Sequence, residues 1–219
     1  MRISWVRGRQ VEHLDLVPSK IIGIGMNYRT HALEMGTGSL PDEPLMFLKP
    51  RSALIASGEP IERPAGFARV DFEGELGVVI GQRARRIPKD RALEHVMGYT
   101  CVNDMTVRDI QKKDGQWVRS KGFDTFCPLG PRIVAGLDPR NLAIRTRVNG
   151  VVKQDSSTSD LIFDVAHLIA FVSEHMTLEV GDVIATGTPS GVGNVSPGDE
   201  VEIEIEGIGV LKNPVIARA

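Results

Sequence analysis

The clearest alternation of apolar and polar positions runs from Val70 to Ile80. Val70, Phe72, Leu76, Val78 and Ile80 share one parity, and Asp71, Glu73 and Glu75 share the other. A period of two marks a strand with distinct faces, so the three acids are predicted to project together, adjacent ones ~6.6 Å apart along the backbone. A second run, Val201-Glu-Ile-Glu-Ile-Glu206, alternates in the same way and predicts a strand with one wet face. Ile21-Ile22-Gly23-Ile24-Gly25 is a compact apolar run of the kind that forms a buried strand. Residues 54–58, 99–102 and 183–185 are shorter strand candidates, and Arg7-Gly8-Arg9-Gln10 is the predicted turn of a strand pair within residues 1–18. Asn149-Gly150 between Val148 and Val151 predicts a type I′ hairpin. Helical character is confined to short stretches: one capped by Asn27 that carries His31, Glu34 and Met35, then 89–97, 106–113, and one begun by Ser159 or Asp160. Gly36-Thr37-Gly38-Ser39 would stop the first helix and reads as a mobile loop.

Strands outnumber helices and several are joined by hairpins. The prediction is an α+β fold, a mixed and mostly antiparallel β-roll or β-sandwich with a few short helices. Residues 1–18 read as a strand extension, and 19–219 as one domain.

Composition narrows this. A chain of 219 residues, 42% of them hydrophobic and 25% charged, builds an ordinary globular core without staples. Its 28 acids and 26 bases leave a net charge of -2, which argues against coating nucleic acid or an anionic membrane surface. Cys101 and Cys127 stand in no CxxC or Cys/His cluster, so buried free thiols in a reducing compartment are expected. With no apolar run of signal-peptide or membrane-span length, the expectation is a cytoplasmic protein.

Asp71, Glu73 and Glu75 repel one another with no base between them, and hard oxygen donors at this spacing suit Mg2+ or Mn2+. A solvated strand face is the commoner outcome of such spacing, and Glu202, Glu204 and Glu206 are an internal control for it. Gly74, which admits a close neighbour, sets the first run apart. Asp104, at the end of a strand candidate, is either a further oxygen ligand or a helix cap, with Arg108 and Gln111 on the same side of the helix entry. Lys121 lies in the glycine-containing segment Ser120-Lys121-Gly122-Phe123-Asp124, as a site lysine or a surface one. His31 and Glu34, three apart on a helix, form either a general-base dyad or a surface pair. Thr186-Gly-Thr-Pro-Ser-Gly-Val-Gly193 is either an anion cradle or a plain tight loop, and it lacks the lysine of a P-loop.

Seven strings in order resemble the fumarylacetoacetate hydrolase family: Gly25-Met-Asn-Tyr-Arg-Thr-His31, Phe47-Leu-Lys-Pro50, Asp71-Phe-Glu-Gly-Glu-Leu76, Asn103-Asp-Met-Thr-Val-Arg-Asp109, Lys121-Gly-Phe-Asp124, Val148-Asn-Gly150 and Thr186 to Gly193. The resemblance runs from about Ile21 to the C-terminus. It implies a β-roll of the fumarylacetoacetase C-terminal type, a homodimer, and Mg2+ or Mn2+ held by Glu73, Glu75 and Asp104. It also implies that Lys121 stabilises an enolate, that Arg108, Gln111 and Thr188 contact substrate, and that His31 and Glu34 form the dyad of a lid helix. Asp71 stands where many relatives carry histidine and is left outside the metal set. The substrate class implied is a small-molecule 2-oxo acid, cleaved at a C–C bond by acylpyruvate hydrolysis or oxaloacetate decarboxylation. The branch of dienedioate isomerases and decarboxylases from aromatic catabolism is the alternative. A catalytically silent relative that binds metal or 2-oxo acids would carry the same strings.

Overall fold

The computed structural model describes residues 1–34 and 40–218, and of residues 33 and 34 the backbone alone. The glycine-rich loop 36–39 and the Glu34 carboxylate therefore lie outside the described residues. Among the described residues, three open sheets carry the fold. The largest, of nine strands, runs in the order Gln10–Asp15, Arg2–Arg7, Cys127–Val134, Val96–Asn103, Gly74–Ile80, Val183–Ala185, Ile21–Gly25 and Leu45–Lys49, with Leu54–Ile55 beside Cys127–Val134. A five-stranded sheet orders Val151–Ser157, Ala143–Val148, Glu200–Ile205, Gly209–Ala217 and Ile61–Arg63. The small third sheet joins Thr106–Val107, Val70–Phe72 and Gly193–Asn194. Pairing is mostly antiparallel, with parallel exceptions such as Val183–Ala185 on Ile21–Gly25.

The four α-helices among the described residues are short: α1 Arg29–Glu34, α2 Arg108–Asp114, α3 Val118–Lys121 and α4 Val165–His175. The main core lies between the two larger sheets. Leu76, Val78, Tyr99 and Cys101 meet Ile144, Ile203, Ile205 and Leu211, and α4 covers them with Val165, Leu168, Ile169 and Val172. The mixed, strand-rich architecture is the one the hydrophobic pattern predicts.

Local differences have identifiable causes. The run from Val70 to Ile80 is two strands in two sheets, broken at Glu73. At the break, side chains take the place of ladder partners: the Glu73 N–H donates to Asn103 Oδ1 at 3.0 Å and the Gly74 N–H to Gln154 Oε1 at 3.0 Å. Asn27 caps no helix. Its amide donates to the Thr186 and Phe163 carbonyls and accepts from the Phe163 N–H at 2.8 Å, tying three segments together. Residues 158–160 make a 3-10 turn, and α4 starts later because the Asp164 side chain accepts from the His167 N–H. Likewise Thr106 and Val107 extend a sheet before α2 begins at Arg108. The Asn149-Gly150 turn has positive φ at both residues, 52° and 76°, as a type I′ hairpin requires.

Candidate active site

One end of the central strand Gly74–Ile80 opens into a cavity of about 190 Å³. Glu73 and Glu75 enter it from the strand break, and Asp104 from the turn after Val96–Asn103, which pairs with Gly74–Ile80. One oxygen from each of these carboxylates lies within 4.8 Å of the other two, and all three residues are buried. The break at Glu73 turns Asp71 away from this group. Asp71 accepts from Arg108 Nε at 2.8 Å and from the half-exposed Arg69 Nε at 2.8 Å. Asp104 is no helix cap; its carboxylate accepts from Lys49 Nζ at 2.6 Å and from Lys121 Nζ.

Lys121, on α3, is buried and bridges the acids, donating to Asp104 and, at 2.7 Å, to Glu73 Oε2. Arg108, at the start of α2, donates to Glu73 Oε1 at 2.5 Å and to Gln111 Oε1 at 2.8 Å. Burial opposes ionisation of both Glu73 and Lys121, yet their mutual attraction wins. Lys121 and Arg108 hold Glu73 below the usual carboxylate range, and Asp104 and Glu73 hold Lys121 above the usual lysine value. Glu75 is the exception. Burial, then Asp104 and Glu73, push it well above the usual carboxylate range, although Oε2 accepts the Gly187 N–H at 2.8 Å.

Four buried carboxylates (Asp71, Glu73, Glu75 and Asp104) thus face three buried permanent cations, Lys49, Arg108 and Lys121, among the described residues. Glu75 is the acid that none of these three cations pairs with. Three converging hard oxygen donors with an uncompensated charge are the donor chemistry that a divalent cation of the Mg2+ or Mn2+ type fits.

His31 on α1 and Thr188 line the same cavity, with Gln111 on α2. His31, Glu73, Glu75, Asp104, Arg108, Gln111, Lys121 and Thr188, all singled out from the sequence, are therefore brought together, and the Glu34 side chain lies outside the described residues. The Thr188 hydroxyl is already engaged, donating to the Gly74 carbonyl at 2.9 Å and accepting from Gln154 Nε2 at 2.8 Å. It braces the loop against the strand break and has no proton left for a ligand. The close neighbour admitted by Gly74 is Thr146, whose Oγ1 would stand 2.2 Å from an added Cβ.

Sequence reasoning missed Lys49, Trp117 and Lys112. Lys49 shares the buried parity of Phe47 on an apolar strand, and a lysine in register with a buried phenylalanine is the signal that could have marked it. Trp117 packs edge-on to Phe47, centroids 5.5 Å apart, to form the apolar wall of the cavity. A Cβ at Gly25 would stand 2.5 Å from the Trp117 ring, so only glycine leaves that ring its place. Lys121 Nζ sits 4.8 Å from the Phe47 centroid, over the ring face. Lys112, on α2, reaches the cavity from the solvent side.

Strands from separate sheets thus converge on a buried carboxylate–lysine cleft, the construction of an enzyme site. The chain belongs to the fumarylacetoacetate hydrolase C-terminal family, whose model matches residues 20–216. It is 45% identical over 211 residues to oxaloacetate tautomerase YisK of Bacillus subtilis, covering 90% of this chain and 70% of that one. The crystal structure of 5-carboxymethyl-2-hydroxymuconate delta-isomerase from Mycobacterium smegmatis superposes with a TM-score of 0.88 at 51% identity, covering 93% and 81% of the two chains. Fumarylpyruvate hydrolase from Pseudomonas aeruginosa, solved with Mn2+ and pyruvate, gives 0.89 at 31% identity over 99% and 97%. Members of the family are enzymes.

Proposed function

We propose that this chain is a divalent-metal enzyme that forms the enolate of a short 2-oxo acid. The observation that carries the reading is Lys121, held as a buried ammonium against two of three converging carboxylates on a cavity wall. Glu73, Glu75 and Asp104 would hold Mg2+ or Mn2+. Such a cation would supply Lewis-acid polarisation of the substrate oxygens and offset the negative charge that develops.

The protein's own groups account for the remaining work. Lys121, kept protonated by Glu73 and Asp104, faces the developing oxyanion inside a site where few waters compete. His31 on the cavity wall accepts the proton from C3, the electron pair forms the C2–C3 double bond, and the 2-oxo oxygen takes a proton from solvent to give the enol while His31 returns its own to solvent. Arg108 is fixed through three of its nitrogens by Asp71, Gln111 and Glu73, so it presents its remaining N–H groups in one orientation. The tautomerase, isomerase and hydrolase names of the relatives share this enolate, which supports keto–enol exchange of a compound such as oxaloacetate as the activity.

C–C cleavage is the second reading, favoured by His31 on the cavity wall and by the near full-length likeness to fumarylpyruvate hydrolase. There His31 would deprotonate a water that attacks the 4-carbonyl of an acylpyruvate, and the enolate of pyruvate leaves. Loss of CO2 from oxaloacetate gives the same enolate without water.

The test is incubation with oxaloacetate and with acetylpyruvate in D2O, with Mn2+ and then with EDTA, following C3 deuteration, pyruvate and CO2. Cation-dependent deuteration that disappears in E73A and K121M is expected. His31→Ala should lower hydrolysis by roughly 10²-fold or more, and decarboxylation far less. The absence of any cation-dependent exchange or cleavage would overturn the reading.

A further inference from the structure

The cavity is lopsided. Its inner end is carboxylate and ammonium, and one side is the Phe47–Trp117 wall. Of the lysines and arginines that line it, Arg108 is engaged by Asp71, Glu73 and Gln111, and Lys121 by Glu73 and Asp104. Lys112 makes no ion pair or side-chain hydrogen bond among the described residues, and it stands on the exposed rim. It follows Arg108 by four positions on α2, so the two side chains leave the same helix face one turn, ~6 Å, apart. Gln111 lies between them on the cavity side.

Taken with the proposed enolisation, on which this rests, we infer that Lys112 reads a second carboxylate at the far end of the substrate. A 2-oxo acid seated with C1 and C2 at the acidic end would extend along α2 towards the rim. One helical turn is the span that a four- or five-carbon chain needs to bring a terminal carboxylate to Lys112. The aromatic wall offers the middle of such a chain no hydrogen-bond partner except the Trp117 indole. It also blocks bulk on that side, because the ring is wedged against Gly25 and Phe47. The substrate class is therefore a short 2-oxo dicarboxylate rather than a long acylpyruvate with a neutral tail. Lys112 sets specificity; Lys121 and His31 remain the groups at the reacting atoms.

The experiment compares oxaloacetate with its C4 monomethyl ester, which keeps the reactive methylene but carries a neutral tail. Two readouts are taken with Mn2+: kcat/KM for C3 deuteration, and affinity by calorimetry. Wild type should prefer the diacid in both. K112E should lower the diacid-to-ester ratio about tenfold or more, the equivalent of ~1.4 kcal/mol, and K112R should restore it to within about threefold. Melting temperatures of the variants confirm that they fold. A ratio that stays within about twofold in K112E, or an equal loss on both compounds, overturns the role of Lys112 while enolisation stands. If wild type deuterates neither compound, yet calorimetry shows the diacid preference and its loss in K112E, the enolisation reading falls and the carboxylate site is upheld. Equal binding of the two compounds by wild type overturns it.

Discussion

Lys49 is a long cation on the inward parity of an apolar strand, and it is buried. Its ammonium donates to Asp104 at 2.6 Å and to the Lys121 carbonyl at 2.5 Å, which fixes both a proposed metal ligand and the backbone of the proposed catalytic lysine. Removing one partner of a buried pair leaves an uncompensated charge at a cost of about 3 kcal/mol. K49M should therefore lower the melting temperature by about 6–12 °C in EDTA, as expected for a chain of this size. K49M/D104N should lose less than the two single losses added together, since the charge left behind is removed with its partner. Strict additivity in urea titrations would refute the coupling. At this scale the ordered strings, through the family resemblance, singled out Glu73, Glu75, Asp104 and Lys121, whereas alternation alone left a solvated strand face, a helix cap and a surface lysine as open readings. Alternation put Asp71 on the same face, and only the resemblance left it outside the metal set, since its direction depends on a break at which Asn103 and Gln154 bind from distant segments. Trp117 escaped for the same kind of reason. Its place is set by Gly25 and Phe47, far away in sequence, and no local pattern encodes that contact.

Elements are joined near the site by buried polar side chains rather than by regular turns. Asp182, wholly buried at the start of Val183–Ala185, is the clearest case. One oxygen accepts from the Ser19 N–H at 2.9 Å, the Ser19 hydroxyl at 2.7 Å and the Lys20 N–H at 3.1 Å. The other accepts from Lys20 Nζ at 2.5 Å and the Glu179 N–H at 2.8 Å. This clamp registers Val183–Ala185 on Ile21–Gly25, and so sets the loop after 185 over the cavity. Burial opposes the charge, but these donors win and hold Asp182 below the usual aspartate value. A depressed folded-state value stabilises the fold above the unfolded-state value, near pH 4, and that stability is lost as pH falls through the folded value. D182N should thus be less stable than wild type by about 1.5–3 kcal/mol at pH 7. The gap should narrow below about pH 4, because only wild type loses the contribution. Urea unfolding at pH 7 and pH 3 measures this, and a gap that widens in acid would refute the clamp. Strand-rich elements and the Asn149-Gly150 hairpin were legible from period and turn chemistry. Helix starts were not: Asn27, expected to cap the first helix, bonds to distant backbone, and Asp164, not Ser159 or Asp160, caps α4.

At the scale of the molecule, the site is a seam. Its groups come from His31, Lys49, the Glu73–Glu75 break, Asp104, Arg108, Lys121 and Gly187, so that the large sheet and three helices meet at one buried cluster. The sequence contains 28 acids and 26 bases in near balance, but the buried part of the cluster does not share it: four buried carboxylates face three buried cations, and the half-exposed Arg69 pairs with Asp71 and not with Glu75. The imbalance falls on Glu75, which burial and its acidic neighbours drive towards the neutral form. Folding the protein without a cation therefore carries an electrostatic cost at Glu75, and a divalent cation would relieve it. Two opposed outcomes follow for one variant. In wild type the melting temperature should rise with Mn2+ by mass action, the stabilisation reaching ~2.7 kcal/mol at 100 times the dissociation constant. E75Q keeps the shape and removes the repulsion, so in EDTA it should melt above wild type. With a ligand oxygen lost, its response to Mn2+ should be largely abolished, and the two melting curves should exchange order as Mn2+ is added. Scanning calorimetry of both proteins across a Mn2+ titration decides it. If E75Q melts below wild type in EDTA, Glu75 is not the site of the uncompensated charge. If E75Q gains as much stability from Mn2+ as wild type, Glu75 is not a ligand.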